Sequence, residues 1–354
     1  MPRVPATFPA ILNDVAQQAE LRIEALLSAE QTRWSAVDTV LTGPLDSLTA
    51  LVLAGGKRLR PAFCAAGVLA AGGSLDAHGL VDAAAALELL HTFALVHDDV
   101  MDGSSTRRGM PAVHARFESE HRQQGLRGET RRFGEGIAIL VGDFAFVYAD
   151  VLMRAASAEA IALWDEMRIE LCVGQSLDLI GAARRSTDLD FAHRIARYKS
   201  AKYTIERPLH LGAAIGGQLD ALREPLSAIG IPLGSAFQMR DDILGVFGES
   251  TVTGKPVGDD LREGKPTPLL AIAAKNADAA GLALLRRVGD PELDDVEIKH
   301  LQELFETTGA RREIERSIQA QVDLAKHNIA DAGLGAPAND ILLELSNYVA
   351  WRDA

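Results

Sequence analysis

The sequence has little cysteine: Cys64 and Cys172 only, far apart in apolar text and without paired spacing. That excludes a disulfide framework or a cysteine metal knot, and fits buried thiols in a reducing, cytoplasmic setting. Positive charge is also short. Acids outnumber bases by 49 to 36, a formal charge of −13, so no nucleic-acid partner and no general attraction to anionic membranes is expected. An anionic ligand must therefore be met by a local basic cluster or by metal. Long uninterrupted apolar runs are missing: the longest, 81–96, contains Asp82, Glu88 and His91 and ends in acids, which predicts a buried helix and no transmembrane segment. The opening MPRVPATFPAIL has no sustained apolar core with a small-residue cleavage site, so no secretory signal is expected. Strand-like alternation, low-complexity tracts and linkers between separate domains are almost absent as well.

What remains is apolar residues at three- and four-residue intervals through most of 354 residues, 47% of them hydrophobic. The class predicted is all-α, a single large helical bundle forming one domain over 1–354. Helices are expected near 10–33, 44–54, 59–72, 77–103, 136–156, 159–182, 189–217, 222–248, 265–276, 308–332 and 338–351. The charged, glycine-bearing stretch 118–136 is expected as a surface loop between two apolar helices.

Two acidic motifs end apolar helices, DDVMD at 98 and DDILG at 241. Asp98 and Asp102 are four apart and share a helix face, with Asp99 beside them, so their carboxylates converge on hard divalent cations such as Mg²⁺. Acids at a helix C-terminus oppose the macrodipole, a cost that argues for function. Asp241 and Asp242 form the second pair, with Gln238 one turn earlier. Two such motifs facing across a bundle can grip metal from both sides. Basic motifs flank them. GGKRLRP at 55–61 sets Lys57, Arg58 and Arg60 at a helix start suited to phosphate, and RRG at 107–109 adds Arg107 and Arg108.

These residues resemble the trans-type isoprenyl diphosphate synthases, or polyprenyl synthetases. The likeness runs through GGKRLRP, LLHTFALVHDDVMD, TRRGMP, AILVGDFAF, GQSLDL, YKSAKYT, FQMRDDILGVFG, TGKP and DDLREGKPTPLL, in that order. It implies a helical fold around a central cavity and Mg²⁺-dependent, head-to-tail joining of isopentenyl diphosphate to an allylic diphosphate, whether dimethylallyl, geranyl or farnesyl. By resemblance Asp98, Asp99, Asp102, Asp241 and Asp242 bind three Mg²⁺ ions, with Asp98 and Asp99 also counted as catalytic. Arg107, Lys199, Lys255 and Lys265 match residues on the allylic diphosphate; Lys57, Arg60, His91 and Arg108 match the isopentenyl site. Ser200 and Gln238 offer dipoles for a carbocation, Lys199 and Gln238 being catalytic on this reading, while Gln175 and Asp178 stand near the metal. The sequence departs from the pattern at Gly245, where many relatives have a third aspartate, and at Ser105, Met110 and Ala112.

The resemblance also implies a homodimer, which fits the surplus apolar surface of the helices at 136–182. For product length, Phe93 stands about 7.5 Å before Asp98 along the helix, with Ala94 leaving room beside it. An aromatic there with an unexpanded DDxxD accompanies C20 products in similar enzymes, so geranylgeranyl diphosphate is expected, with farnesyl diphosphate (C15) or a longer polyprenyl product as alternatives. A terpene cyclase is disfavoured by GGKRLRP and DDILG, and a non-catalytic subunit by the complete first motif.

Overall fold

Alanine, leucine and straight-chain polar residues fill the long segments, and nearly all of these become helix. The computed structural model describes residues 8–248 and 257–351. In chain order it forms α1 (Asn13–Ser35), α2 (Thr42–Leu53), α3 (Leu59–Ala70) and α4 (Leu80–Asp102). A small hairpin of β1 (Thr106–Arg107) and β2 (Met110–Pro111) follows, then α5 (Val113–Gln123), α6 (Thr130–Met153), α7 (Ala158–Ala183) and α8 (Leu189–Ile195). Next come a π-helix (Ala196–Glu206), α9 (Arg207–Ile215) and α10 (Leu219–Phe247). The chain closes with α11 (Asp259–Glu263), α12 (Pro268–Asn276), α13 (Ala279–Leu285), α14 (Asp295–Thr307), α15 (Ala310–Asp331) and α16 (Ala336–Trp351).

The first acidic motif is placed by α4. Its run from Ala83 to Leu90 is wholly buried, so the helix is core on every side for two turns. It stops where Gly103 takes a left-handed conformation (φ 71°) and returns its N–H to the Asp99 carbonyl, leaving DDVMD as the last turn. The second motif rides on α10, whose N-terminal half belongs to the same apolar core as α4. Its C-terminal half packs into a second cluster with α12, α14 and α15, so the acidic end of α10 sits where the two clusters meet.

Several expectations change. The 118–136 segment is no loop: α5 runs to Gln123 and α6 begins at Thr130. Ion pairs one turn apart, Glu118–Arg122 (2.9 Å) and Glu135–Arg131 (2.6 Å), stabilise those ends. The stretch 189–217, read as one helix, is three pieces, of which the middle one is the π-helix. Helices α5, α11, α13 and α14 were not foreseen, being short or polar. Two helices, α4 and α6, are long and apolar enough to cross a membrane; 61% and 44% of their apolar windows are buried in the fold. For α4 that is the expected core helix. For α6 the apolar excess includes exposed Ile139, Leu140 and Val147.

Candidate active site

The ends of α4 and α10 open on one cavity of about 770 Å³, which adjoins a smaller one of about 340 Å³. Asp98 lines both. Its Oδ1 accepts from Gln175 Nε2 (2.9 Å) and Lys199 Nζ (3.0 Å). Burial pushes this carboxyl up, but Lys199, Lys265 and Arg107 outweigh it and hold Asp98 well below the usual carboxylate range. Asp99 differs: it is buried (1% exposed) and clasped by Arg107, whose Nε donates to it at 2.9 Å. It lines neither cavity and anchors Arg107, which does line the larger one. Asp102 stands behind Lys265 at 3.5 Å, its carboxyl pushed up to about 7 by burial and by the charge of Asp98.

Across the cavity α10 presents Asp241, with Asp242 one residue deeper, accepting from Gln238 Nε2 at 2.7 Å. Burial raises the Asp242 carboxyl well above its ordinary value, only partly offset by Gln238. At Gly245 the space a side chain would use is taken. A Cβ built there would lie 1.8 Å from Asp260 Oδ2, so a carboxylate from α11 stands where the helical motif lacks one. Asp260 also pairs with Lys265 (3.3 Å), which touches Glu263 (2.5 Å), and Ser104 Oγ donates to Glu263 at 2.7 Å. These contacts tie α11 to the end of α4. Although buried, Lys265 is kept charged by Asp260 and Glu263, its pKa well above the ordinary value.

The remaining wall is basic. Lys57 lines both cavities, presented by a loop in which Gly55 and Gly56 have φ of 87° and 155°. Its neighbour Arg58, itself left-handed (φ 46°), turns inward to buried Glu88 and to the Val52 carbonyl (2.9 Å). Arg60 lies over the Tyr203 ring (4.3 Å) and donates to Thr204 Oγ1 (3.0 Å). His91 is half-buried beside it; desolvation, then Arg60 and Arg108, push its pKa well below the ordinary value, so the ring is neutral. Its Nδ1 has no hydrogen-bond partner among the described residues. Arg108, at the hairpin tip with φ 53°, donates to the Leu51 carbonyl at 2.9 Å and lines both cavities. Lys199 Nζ reaches Asp178 Oδ2 at 2.5 Å as well as Asp98, and Ser200 follows it on the wall.

Residues 44–305 match the family model described as Polyprenyl synthetase. The chain belongs to the polyprenyl synthetase family. It is a trans-prenyltransferase. The synthetase is 36% identical to a geranylgeranyl pyrophosphate synthase from Corynebacterium glutamicum solved with isoprenyl diphosphate and magnesium, with a TM-score of 0.91 covering 96% of this chain and 99% of that one. It is 31% identical to the short chain isoprenyl diphosphate synthase of Methanothermobacter thermautotrophicus over 94% of its own length and 98% of the relative's. It is also 30% identical to the nonaprenyl diphosphate synthase of Mycobacterium tuberculosis, covering 99% of both. Relatives of such different product lengths share its overall likeness, so product length must be read from individual side chains.

Of the residues singled out in the synthetase's sequence, Lys57, Arg60, His91, Ala94, Asp98, Arg107, Arg108, Lys199, Ser200, Gln238, Asp241, Asp242 and Lys265 line the two adjoining cavities. Asp99 and Asp102 stand behind them, and Lys255 falls outside the described residues. Phe93 is also set back, tilted against Phe146 (4.8 Å) and edge-on to His97 (4.7 Å), while Ala94 and Leu95 face the smaller cavity. Sequence reasoning missed Asp260 and Glu88. The glycine at 245 beside the acid run 259–263 was the signal for the first. An acid on an apolar helix one turn before His91 was the signal for the second.

Proposed function

We propose that this synthetase joins isopentenyl diphosphate head to tail to an allylic diphosphate with Mg²⁺, and that its main product is geranylgeranyl diphosphate. The observation that carries the reading is a pair of adjoining cavities, the larger walled by acids from two helix ends with Lys57 and Arg108, the smaller adding Arg60 and neutral His91. Among the described residues no three His, Cys, Asp or Glu side chains are grouped so as to hold a metal ion between them. Oxygen donors spread across a cavity suit Mg²⁺, which takes one or two carboxylates and completes its shell with water and substrate phosphate. Asp98, Asp102 and Asp241 are the residues proposed to hold up to three ions, which would neutralise charge on the departing diphosphate.

The protein's part is to orient and to stabilise. Arg107, Lys199 and Lys265 stand where they meet the allylic diphosphate as its C1–O bond breaks. The isopentenyl double bond then attacks C1, forming the new carbon–carbon bond, and the resulting cation loses a proton to the released diphosphate. No protein nucleophile enters. Chromatography of products made by the purified chain from labelled isopentenyl diphosphate and each allylic starter tests the reading; release of a cyclised hydrocarbon, or no elongation with any starter, would refute it.

The C20 length rests on Phe93, the neighbour of cavity-lining Ala94, whose ring packs against Phe146 at 4.8 Å. Phe146 also borders an apolar groove of about 710 Å³ lined by α6 and α7. Phe93→Ala is expected to move the product mixture by at least one C5 unit toward longer chains, and an unaltered distribution would transfer the ruler to another side chain. A homodimer is proposed on the exposed Ile139, Leu140 and Val147 of α6 and Ile169, Val173 and Ile180 of α7. Sedimentation at micromolar concentration should give twice the chain mass, and a purely monomeric boundary would contradict it.

A further inference from the structure

The π-helix carrying Lys199 and Ser200 has no internal reason to be one. Its sequence, ARYKSAKYTIE, contains neither glycine nor proline. Pro208 withholds one α-type bond from the Thr204 carbonyl, but the widening begins at Ala196, more than two turns earlier. Eleven residues of i→i+5 bonding are rare and poorly favoured, so the cause must lie in what surrounds them.

One face of α7 supplies it. Glu166, Glu170, Gly174 and Asp178 recur every fourth residue and so lie in a row. Along that row Asp178 takes Lys199, Glu170 takes Lys202 and Arg207, and Glu166 takes Arg207 again. Arg207 Nε and Nη2 both donate to Glu170, at 2.7 and 2.8 Å, which fixes the guanidinium in its plane. Between the ion pairs, Gly174 lets the backbones touch: a Cβ there would lie 2.3 Å from Lys199 N. On the opposite side α10 repeats the device. A Cβ at Gly234 would lie 2.4 Å from Ala201 Cα, and Ser227 Oγ donates to Glu206 at 2.6 Å. The network ends on buried His210, whose Nδ1 faces Arg207 at 3.2 Å and whose Nε2 meets the Arg223 carbonyl at 3.0 Å. Its pKa, lowered to about 4 chiefly by burial, keeps the ring neutral.

The pairs therefore measure the π-helix. Were it to relax to α geometry, the residues after the change would rotate relative to α7, and Lys199–Asp178 could not coexist with Lys202–Glu170 and Arg207–Glu170. Neither Glu170, Lys202 nor Arg207 lines the cavity, so none is explained by contact with substrate. We propose that Glu170, through Lys202 and Arg207, is a positioning residue that fixes the π-helical register in which Lys199 and Ser200 meet the substrate. The assignment rests on the prenyl-transfer reading of that cavity.

Glu170→Gln keeps the shape and removes the charge. It is expected to lower kcat about tenfold, since a misplacement of about 1 Å at a reacting centre costs up to about a hundredfold. The KM for isopentenyl diphosphate should stay within about twofold, because that substrate's wall is built by other elements. If Glu170 acts through Lys199, the same substitution costs nothing further in a Lys199→Met background. An equal loss in both backgrounds, or no loss in either, overturns the proposal. Should Glu170→Gln fail to fold, Lys202→Met leaves Arg207 on the carboxylate and must show the same dependence on Lys199. Amide hydrogen exchange of the metal-free protein provides a readout independent of turnover: the 197–205 amides should exchange about tenfold faster in Glu170→Gln, and unchanged protection refutes the register role. A parent protein without elongation activity would sink the functional reading, while the exchange result would still decide the register.

Discussion

Asp98→Ala is expected to reduce turnover by about a thousandfold or more while the protein folds and melts almost as the parent does. The reasoning is local. Asp98 is the acid of α4 that faces both cavities, and its carboxylate is kept ionised by Lys199, Lys265 and Arg107. Its loss leaves Lys199 paired with Asp178, so no buried charge is stranded and folding is spared. Steady-state rates at ordinary magnesium with a thermal melt alongside provide the check. Near-parental turnover would mean that the α4 acids serve structure. Asp99→Ala makes an informative contrast, because it frees Arg107 and so acts on the diphosphate through a lost anchor.

Gly174→Ala is expected to cost both stability and activity. The new carbon would meet Lys199 backbone at 2.3 and 2.5 Å and the Tyr198 carbonyl carbon at 2.7 Å, atoms that cannot swing aside as a flexible side chain would. Relief requires α7 and the π-helix to separate, at a cost of about 3 kcal/mol, and the separation also moves Lys199 from Asp98. Activity should therefore fall together with stability. Gly136 provides the control within α6, since nothing lies within 4 Å of its added carbon. Gly136→Ala should raise stability by about 0.5–1 kcal/mol through helix propensity alone. Denaturant titration of the two variants checks the pair, and equal small effects would mean that the α7 contact is slack.

Much of the site was legible because its chemistry is written in adjacent residues. DDVMD and DDILG end apolar helices, and apolar periodicity makes those helices visible from composition alone. Two glycines before Lys57 likewise announce an exposed loop feeding a helix. The errors share a physical origin in partners distant along the chain. Asp98 and Asp99 are neighbours in sequence, yet one faces the cavity and the other is buried on Arg107, because successive helical residues point about 100° apart. Phe93 shows the same dependence: its ring is tilted against that of Phe146, more than fifty residues later, a contact that its spacing to Asp98 does not reveal. The π-helix was invisible for the same reason. Its register is imposed by α7 and α10, and its own residues are ordinary helix formers. Likewise 118–136 looked like loop because its charges have no apolar face until Phe117 and Phe133 find the core between them.

The overlap between position 245 and the Asp260 carboxylate binds two distant sites into one heritable unit. An aspartate introduced at 245 alone would collide with Asp260, and glycine at 260 alone would leave that corner of the cavity without its acid. A side chain added at 245 has to be answered by a movement of the Asp260 carboxylate, so a change at one position is felt at the other. The same coupling meets recombination: a chimera that takes α10 from a relative with aspartate at 245 places two acids in that corner unless it takes the α11 segment as well.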